Sequence, residues 1–127
     1  MVTQSKVLVV DDQEEIRLLI LATLDADNID LFEADSGEEG WRLVQNLRPA
    51  LVLLDVMMPG ALDGYQVCRQ IKTDPILKNA TKVILLTGRS SASDIELGKE
   101  AGCDAYLIKP FSPIELLDLV ERFVPSM

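Results

Sequence analysis

The chain contains no histidine, and only 2 of its 127 residues are cysteine. Histidine-based catalysis and histidine metal ligation are therefore excluded. Cys68 and Cys103 show neither metal-ligand nor redox spacing, which reads as free thiols in a reducing cytoplasm. Positive charge is scarce: 12 lysines and arginines face 21 acids, for a formal net charge of −9. That balance argues against direct nucleic-acid binding, which relies on neutralising phosphates. No apolar run approaches the roughly 18 residues of a membrane span. The N-terminus has no basic region followed by an apolar stretch, so no signal peptide is expected. Repeats, low-complexity segments and Pro/Gly/Ser linkers are also missing. Residues 1–127 therefore read as a single domain, and a hydrophobic content of 48% is enough for a core.

What is present is an alternation of short apolar runs and helical periodicity. Strands are expected at Lys6–Val10, Ile29–Ala34, Ala50–Leu54, Lys82–Leu86 and Asp104–Ile108. The first, third and fourth are almost continuously apolar, as in strands covered on both faces. The second is more mixed and suits a position nearer an edge. Five helices intervene. The first carries Ile16, Leu19, Ile20, Thr23 and Leu24 on one stripe. The second follows Ser36 as N-cap, with Glu39 as capping-box partner. The third starts near Gly64 and carries Val67, Cys68 and Ile71 inward. The fourth has a thin stripe of Ile95, Gly98 and Ala101. The fifth opens at Ser112-Pro113 and turns Leu116, Leu119, Val120 and Phe123 inward.

Strands alternating with helices imply an α/β fold with a doubly wound parallel sheet. Ligands bind such sheets beyond the carboxyl ends of the strands, where the strand order reverses. The flavodoxin-like order 2-1-3-4-5, taken from the known repertoire, puts that reversal beside the first and third strands.

Four of the apolar runs end on a polar residue suited to phosphoryl chemistry: KVLVV on Asp11 and Asp12, LVLL on Asp55, KVILL on Thr87, and DAYLI on Lys109. In parallel strands these converge at one edge. Two carboxylates about 5 Å apart repel by about 3 kcal/mol at an effective dielectric near 20. Three acids against one lysine need a further cation. All-oxygen ligands favour magnesium or calcium, and a site with few protein oxygens favours magnesium. Plainer roles exist for each residue alone. Asp12 could cap the first helix, Thr87 could bond backbone, Lys109 could be a solvated surface charge, and Tyr106 could simply pack.

The segments VLVVDD, LVLLDVMMPG with DG following, ILLTG and AGCDAYLIKPF resemble the receiver domain of two-component response regulators over essentially the whole chain. The resemblance implies a phosphorylation-activated signalling switch with no further enzymatic activity. Asp55 would be the phosphoacceptor. Mg2+ would bind Asp12, Asp55 and the Met57 backbone carbonyl, with Asp11 acting through water. Thr87 and Lys109 would contact the phosphoryl oxygens, Thr87 and Tyr106 would form the switch, and Lys109-Pro110 would be a cis peptide. A sensor histidine kinase or histidine phosphotransfer protein would supply the phosphoryl group. A downstream output protein or domain would read the surface of the fourth helix, fifth strand and fifth helix, and a phosphorylation-dependent homodimer through that surface is a further form of output. The setting would be cytoplasmic.

Two features depart from the family pattern. The GALDG segment is one residue longer than usual, so the loop beside Asp55 is expected to bulge. TDPILKN lengthens the connection after the third helix. Met57 and Arg89 flank the water path and carry neither carboxylate nor amide, which implies a long-lived phosphoryl group. Other chemistries fit less well. An aspartyl-phosphate hydrolase would have a second acid where Met57 stands. A flavin carrier would lack the acids of Asp11-Asp12-Gln13-Glu14, which repel a flavin phosphate. A degenerate docking receiver would lack motif residues that are all present.

Overall fold

A computed structural model describes residues 4–26, 28–88 and 91–124. The chain runs β1 (Ser5–Val10), α1 (Glu14–Thr23), β2 (Ile29–Ala34), α2 (Gly37–Leu47), β3 (Leu51–Asp55), α3 (Gly64–Thr73), α4 (Leu77–Ala80), β4 (Lys82–Thr87), α5 (Ala92–Ala101), β5 (Ala105–Ile108) and α6 (Pro113–Glu121). The strands form one sheet in the order β2-β1-β3-β4-β5, and every pair is parallel. The mixed second strand lies at an edge. The architecture is flavodoxin-like, as the strand–helix alternation implied.

Period-2 alternation explains why the strands are apolar throughout. Leu8, Val10, Val52, Leu54, Val83 and Leu85 face one side, packing with Val44, Val67, Cys68, Ile71 and Ala101 from α2, α3 and α5. Val7, Val9, Leu51, Leu53, Ile84 and Leu86 face the other, packing with Ile20, Leu24, Leu116 and Val120 from the α1 and α6 side. All twelve strand residues have zero exposure. Each such burial contributes roughly 1.5–3 kcal/mol before chain entropy is counted.

The structure corrects several expectations. Among the described residues the five expected long helices are joined by one short one, because TDPILKN folds into the four-residue α4. Asp74 Oδ1 nucleates it by accepting from Ile76 N at 2.8 Å and Leu77 N at 3.1 Å. The expected fourth and fifth helices are thus α5 and α6. Leu19 is 38% exposed, whereas Leu21 packs against the core. Ser36 caps α2 by accepting from Glu39 N, but the Glu39 carboxylate pairs with Arg42 instead of closing a capping box. α1 has Gln13 at its N-cap and no side-chain cap, so Asp12 does not cap it. β3 starts at Leu51 and includes Asp55, β4 includes Thr87, and β5 starts at Ala105. Phe123 packs inward as expected but lies beyond the end of α6. Arg89 lies outside the described residues. No helix among the described residues is long and apolar enough to cross a membrane.

Candidate functional site

The carboxyl edge of the sheet gathers the predicted polar residues. Asp55 is the last residue of β3 and Thr87 the last of β4, while Asp11, Asp12 and Lys109 stand just beyond β1 and β5. The pairing of Asp55 with Leu86 sets Thr87 one residue further along. Asp11 has no exposure, Asp55 is 4% exposed and Thr87 3%, whereas Asp12 is exposed. Carboxylate oxygens of Asp11, Asp12 and Asp55 all lie within 4.8 Å of one another. An open cleft lined by Asp12, Gln13, Asp55, Met57, Gly88 and Lys109 leads to them.

Lys109 is the cation that permits this burial. Its Nζ donates to Asp11 Oδ2 at 2.8 Å and lies 3.4 Å from Asp55 Oδ1. Its backbone N–H donates to the Thr87 carbonyl at 2.7 Å, and the following Lys109–Pro110 peptide is cis. Asp55 Oδ1 also accepts from Met57 N at 3.2 Å. One lysine does not balance three acids. Burial first, and the Asp11 charge second, push the Asp55 carboxyl up from 3.8 to about 6, against the pull of Lys109.

The loop between β3 and α3 is held at both ends. A Cβ on Gly64 would stand 2.1 Å from the Asp55 carbonyl oxygen, so only glycine allows this approach. Leu62 N, in the GALDG segment, donates to Glu38 Oε1 on α2 at 2.8 Å, which ties this loop to α2. Met57 is 53% exposed beside the cleft.

The donors are all hard oxygens, with two carboxylates buried and one at the cleft mouth. That set suits a small divalent cation of the magnesium class and offers no soft ligand for a transition metal. Asp12 and Asp55 would hold such an ion.

Tyr106, partly buried on β5, leans across α5. Its hydroxyl donates to the Ile95 carbonyl, and its ring fills the space where a Gly98 side chain would be. Burial pushes its hydroxyl pKa upward. Tyr106 thus stands against α5 rather than within the acid cluster.

Two polar side chains at the site escape the sequence motifs. Gln13 Oε1 lies 3.5 Å from Lys109 Nζ. Arg17 Nη1 donates to the Asp11 carbonyl at 2.8 Å. The available signal for Arg17 was a lone cation one turn into a helix that follows two acids.

A doubly wound parallel sheet with an acid triad and a lysine at its switch point defines a class of acidic-pocket α/β domain. The chain belongs to the response regulator receiver domain family, whose model matches residues 7–121. Transcriptional regulatory protein ResD of Bacillus subtilis is 42% identical over 114 residues, which cover 90% of this chain and 45% of ResD. The chain thus spans less than half the length of the curated relatives it matches. A putative response regulator from Chloroflexus aurantiacus superposes with a TM-score of 0.88 at 30% identity, covering 98% of this chain and all of that one. The BeF3-activated receiver domain of DrrB, a Thermotoga maritima protein, gives 0.81 at 36% identity, with 98% and 100% coverage. Receiver domains are regulatory and bind Mg2+ at an acidic pocket, and this chain has such a pocket.

Proposed function

We propose that this chain is a phosphorylation-activated switch in which Asp55 takes a phosphoryl group from a phosphohistidine donor. The observation that carries the reading is the Asp55 carboxylate itself. It ends a buried strand, has two acids within 4.8 Å and a lysine ammonium 3.4 Å away, and opens onto a cleft.

In the reaction an Asp55 oxygen forms a bond to phosphorus, the P–N bond of phosphohistidine breaks, and the imidazole leaves and takes up a proton. Mg2+ held by Asp12, Asp55 and the Met57 carbonyl would neutralise charge on the transferring oxygens, with Asp11 acting through water. Lys109 can exchange its contact with Asp55 for one with a phosphoryl oxygen by moving a short distance. Thr87, buried one residue beyond the partner of Asp55, offers a hydroxyl to the same group. A long phosphoryl lifetime is supported by Met57, which cannot orient water; complete loss of label within manual mixing time would contradict it.

The donor is a sensor histidine kinase or a histidine phosphotransfer protein in the cytoplasm. The reader is an output protein or domain, or a second copy of the chain, docking on α5, β5 and α6. The contacts of Tyr106 with Ile95 and Gly98 support α5 as the responsive part. If Tyr106→Ala leaves partner affinity equally dependent on phosphorylation, that coupling fails. Some relatives carry names such as DNA-binding response regulator MtrA. With a net charge of −9, this domain would leave any such contact to another segment.

The test is titration with acetyl phosphate or beryllofluoride in the presence of Mg2+, comparing the chain with Asp55→Ala. We expect covalent label and a spectral change in the parent chain only. Equal responses in both would overturn the assignment of Asp55.

A further inference from the structure

Four helices open on a side-chain cap. Ser36, Asp63, Ser91 and Ser112 each accept from the backbone N–H three residues on. α1, which follows the acid pair, has no such cap. The turn carrying Asp11 and Asp12 therefore lacks the N-cap that fixes the other long helices' entries, although Asp11 Oδ1 accepts from Gln13 N within it at 2.9 Å.

Arg17 supplies a substitute. From the second turn of α1 it reaches back to the carbonyl of Asp11 through Nη1, at 2.8 Å, and across to Glu33 Oε1 on β2 through Nε, at 2.8 Å. Its side chain is 15% exposed against 47% for Glu33, so the contact to the turn is the better shielded one. The Asp11 carbonyl belongs to the rigid peptide plane joining Asp11 to Asp12. Holding that oxygen fixes the direction in which the chain enters Asp12. The Asp11 side chain is committed elsewhere, to Lys109 and to Gln13 N at 2.9 Å. Asp12 is thus the exposed acid of the cluster, and its aim depends on its backbone.

We propose that Arg17 is a positioning residue for divalent-cation binding, bracing the β1–α1 turn against β2 so that the Asp12 carboxylate faces the ion held with Asp55. The inference rests on the cation site of the proposed function. The planar fork of a guanidinium serves two acceptors in different directions, which an ammonium at the same place does not.

The experiment is calorimetric titration of the full chain with Mg2+ alone, without phosphodonor, at a temperature well inside the folded baseline. Removal of a residue that orients a metal ligand weakens affinity about 10- to 100-fold, and Arg17→Met should fall near tenfold. Arg17→Lys should recover little of it. Glu33→Gln, which keeps an acceptor but not the charge, should weaken binding measurably but by less than Arg17→Met. The amide resonance of Asp12 should shift in Arg17→Met before any Mg2+ is added. Affinity within twofold of the parent in Arg17→Met, or full recovery in Arg17→Lys, would overturn the positioning role. If Arg17→Met does not fold, unchanged affinity in Glu33→Gln overturns it instead. Asp55→Asn serves as the control: if it too binds Mg2+ normally, the cation site itself is wrong, whereas a loss there with normal Arg17→Met binding rejects only this inference.

Discussion

The two halves of one sheet edge are built to opposite specifications. At β1 and β3 two of the three acids are buried and tied: Asp11 is held at its amide, carbonyl and carboxylate, and Gly64 presses on the Asp55 carbonyl. At β4 and β5 the covering helix is thin. α5 buries only Gly98 and Ala101, and Leu97 and Ile108 stay 44% and 39% exposed. Like charges that repel must be held by a rigid frame, or they move apart. A surface meant to change needs few buried contacts, because regions with few of them open at low free energy. The acid half stores electrostatic strain, and the α5 half is where a small perturbation has room to act.

The largest expected effect tests the first half of that contrast. Lys109→Met removes the cation from Asp11, which has no exposure. Breaking a buried pair costs roughly 3–5 kcal/mol, and with Lys109 17% exposed the lower end applies, about 3 kcal/mol. Urea unfolding without Mg2+ should show the loss, and saturating Mg2+ should restore more than half of it. An unchanged midpoint would mean that the acids are not poised against Lys109.

Asp55→Asn should act in the other direction. The folded carboxyl is raised to about 6 from 3.8, so between those values the folded state keeps a proton that the unfolded chain releases. Asp55 therefore contributes stability below about pH 4 and loses it as pH rises to about 6. The variant should come close to the parent near pH 4 and exceed it by about 3 kcal/mol at pH 7 without Mg2+. A gap that is flat with pH would show that Asp55 is not held out of its ordinary range.

The next effect belongs to the α5 half. A methyl at Gly98 would lie 2.4 Å from Tyr106 Cε1, and the ring is the part free to yield. Gly98→Ala should displace Tyr106, costing about 1 kcal/mol or more in overpacking and about 1 kcal/mol for the hydroxyl's bond to Ile95, which leaves a net loss of about 1 kcal/mol after the gain in helix propensity. In a Tyr106→Ala background the same change should stabilise by about 1 kcal/mol. This reversal of sign, measured by a double-mutant cycle, distinguishes a slot built for the ring from an ordinary helix glycine.

How much of this was readable beforehand follows the same division. Apolar runs covered on both faces leave little choice of structure, so the strands, their parallel sense and the polar residues at their ends were legible, whereas the order 2-1-3-4-5 came from the known repertoire. The strand boundaries moved by one residue, which brought Asp55 and Thr87 into the strands. What depended on a distant partner was not legible. Leu19 and Leu21 differ in burial because of how α1 lies on the sheet, which periodicity alone does not fix. Glu39 had two partners within reach, and Arg42 won. α4 exists because Asp74 caps a turn that the expected five-helix pattern passed over. Arg17 is conspicuous only once β2 brings Glu33 beside the β1–α1 turn.

The smallest effect sharpens the contrast most. Ser36 and Ser91 cap α2 and α5 in the same way, each accepting from the third backbone N–H of its helix. Loss of either cap costs about 0.5–1 kcal/mol at an exposed site. α2 buries Val44 and carries partly buried Trp41 and Leu43 on the sheet, so it unfolds with the whole. Ser36→Ala should therefore lower the global unfolding free energy by the full amount. α5 has no large aliphatic side chain fully buried to tie it to the sheet. Ser91→Ala should leave the global midpoint nearly unchanged and speed hydrogen exchange of the α5 amides about two- to fivefold, the factor that 0.5–1 kcal/mol of local opening implies. Equal global losses in the two variants would mean that α5 is bound to the fold as firmly as α2, and that the responsive half of the edge must be sought elsewhere.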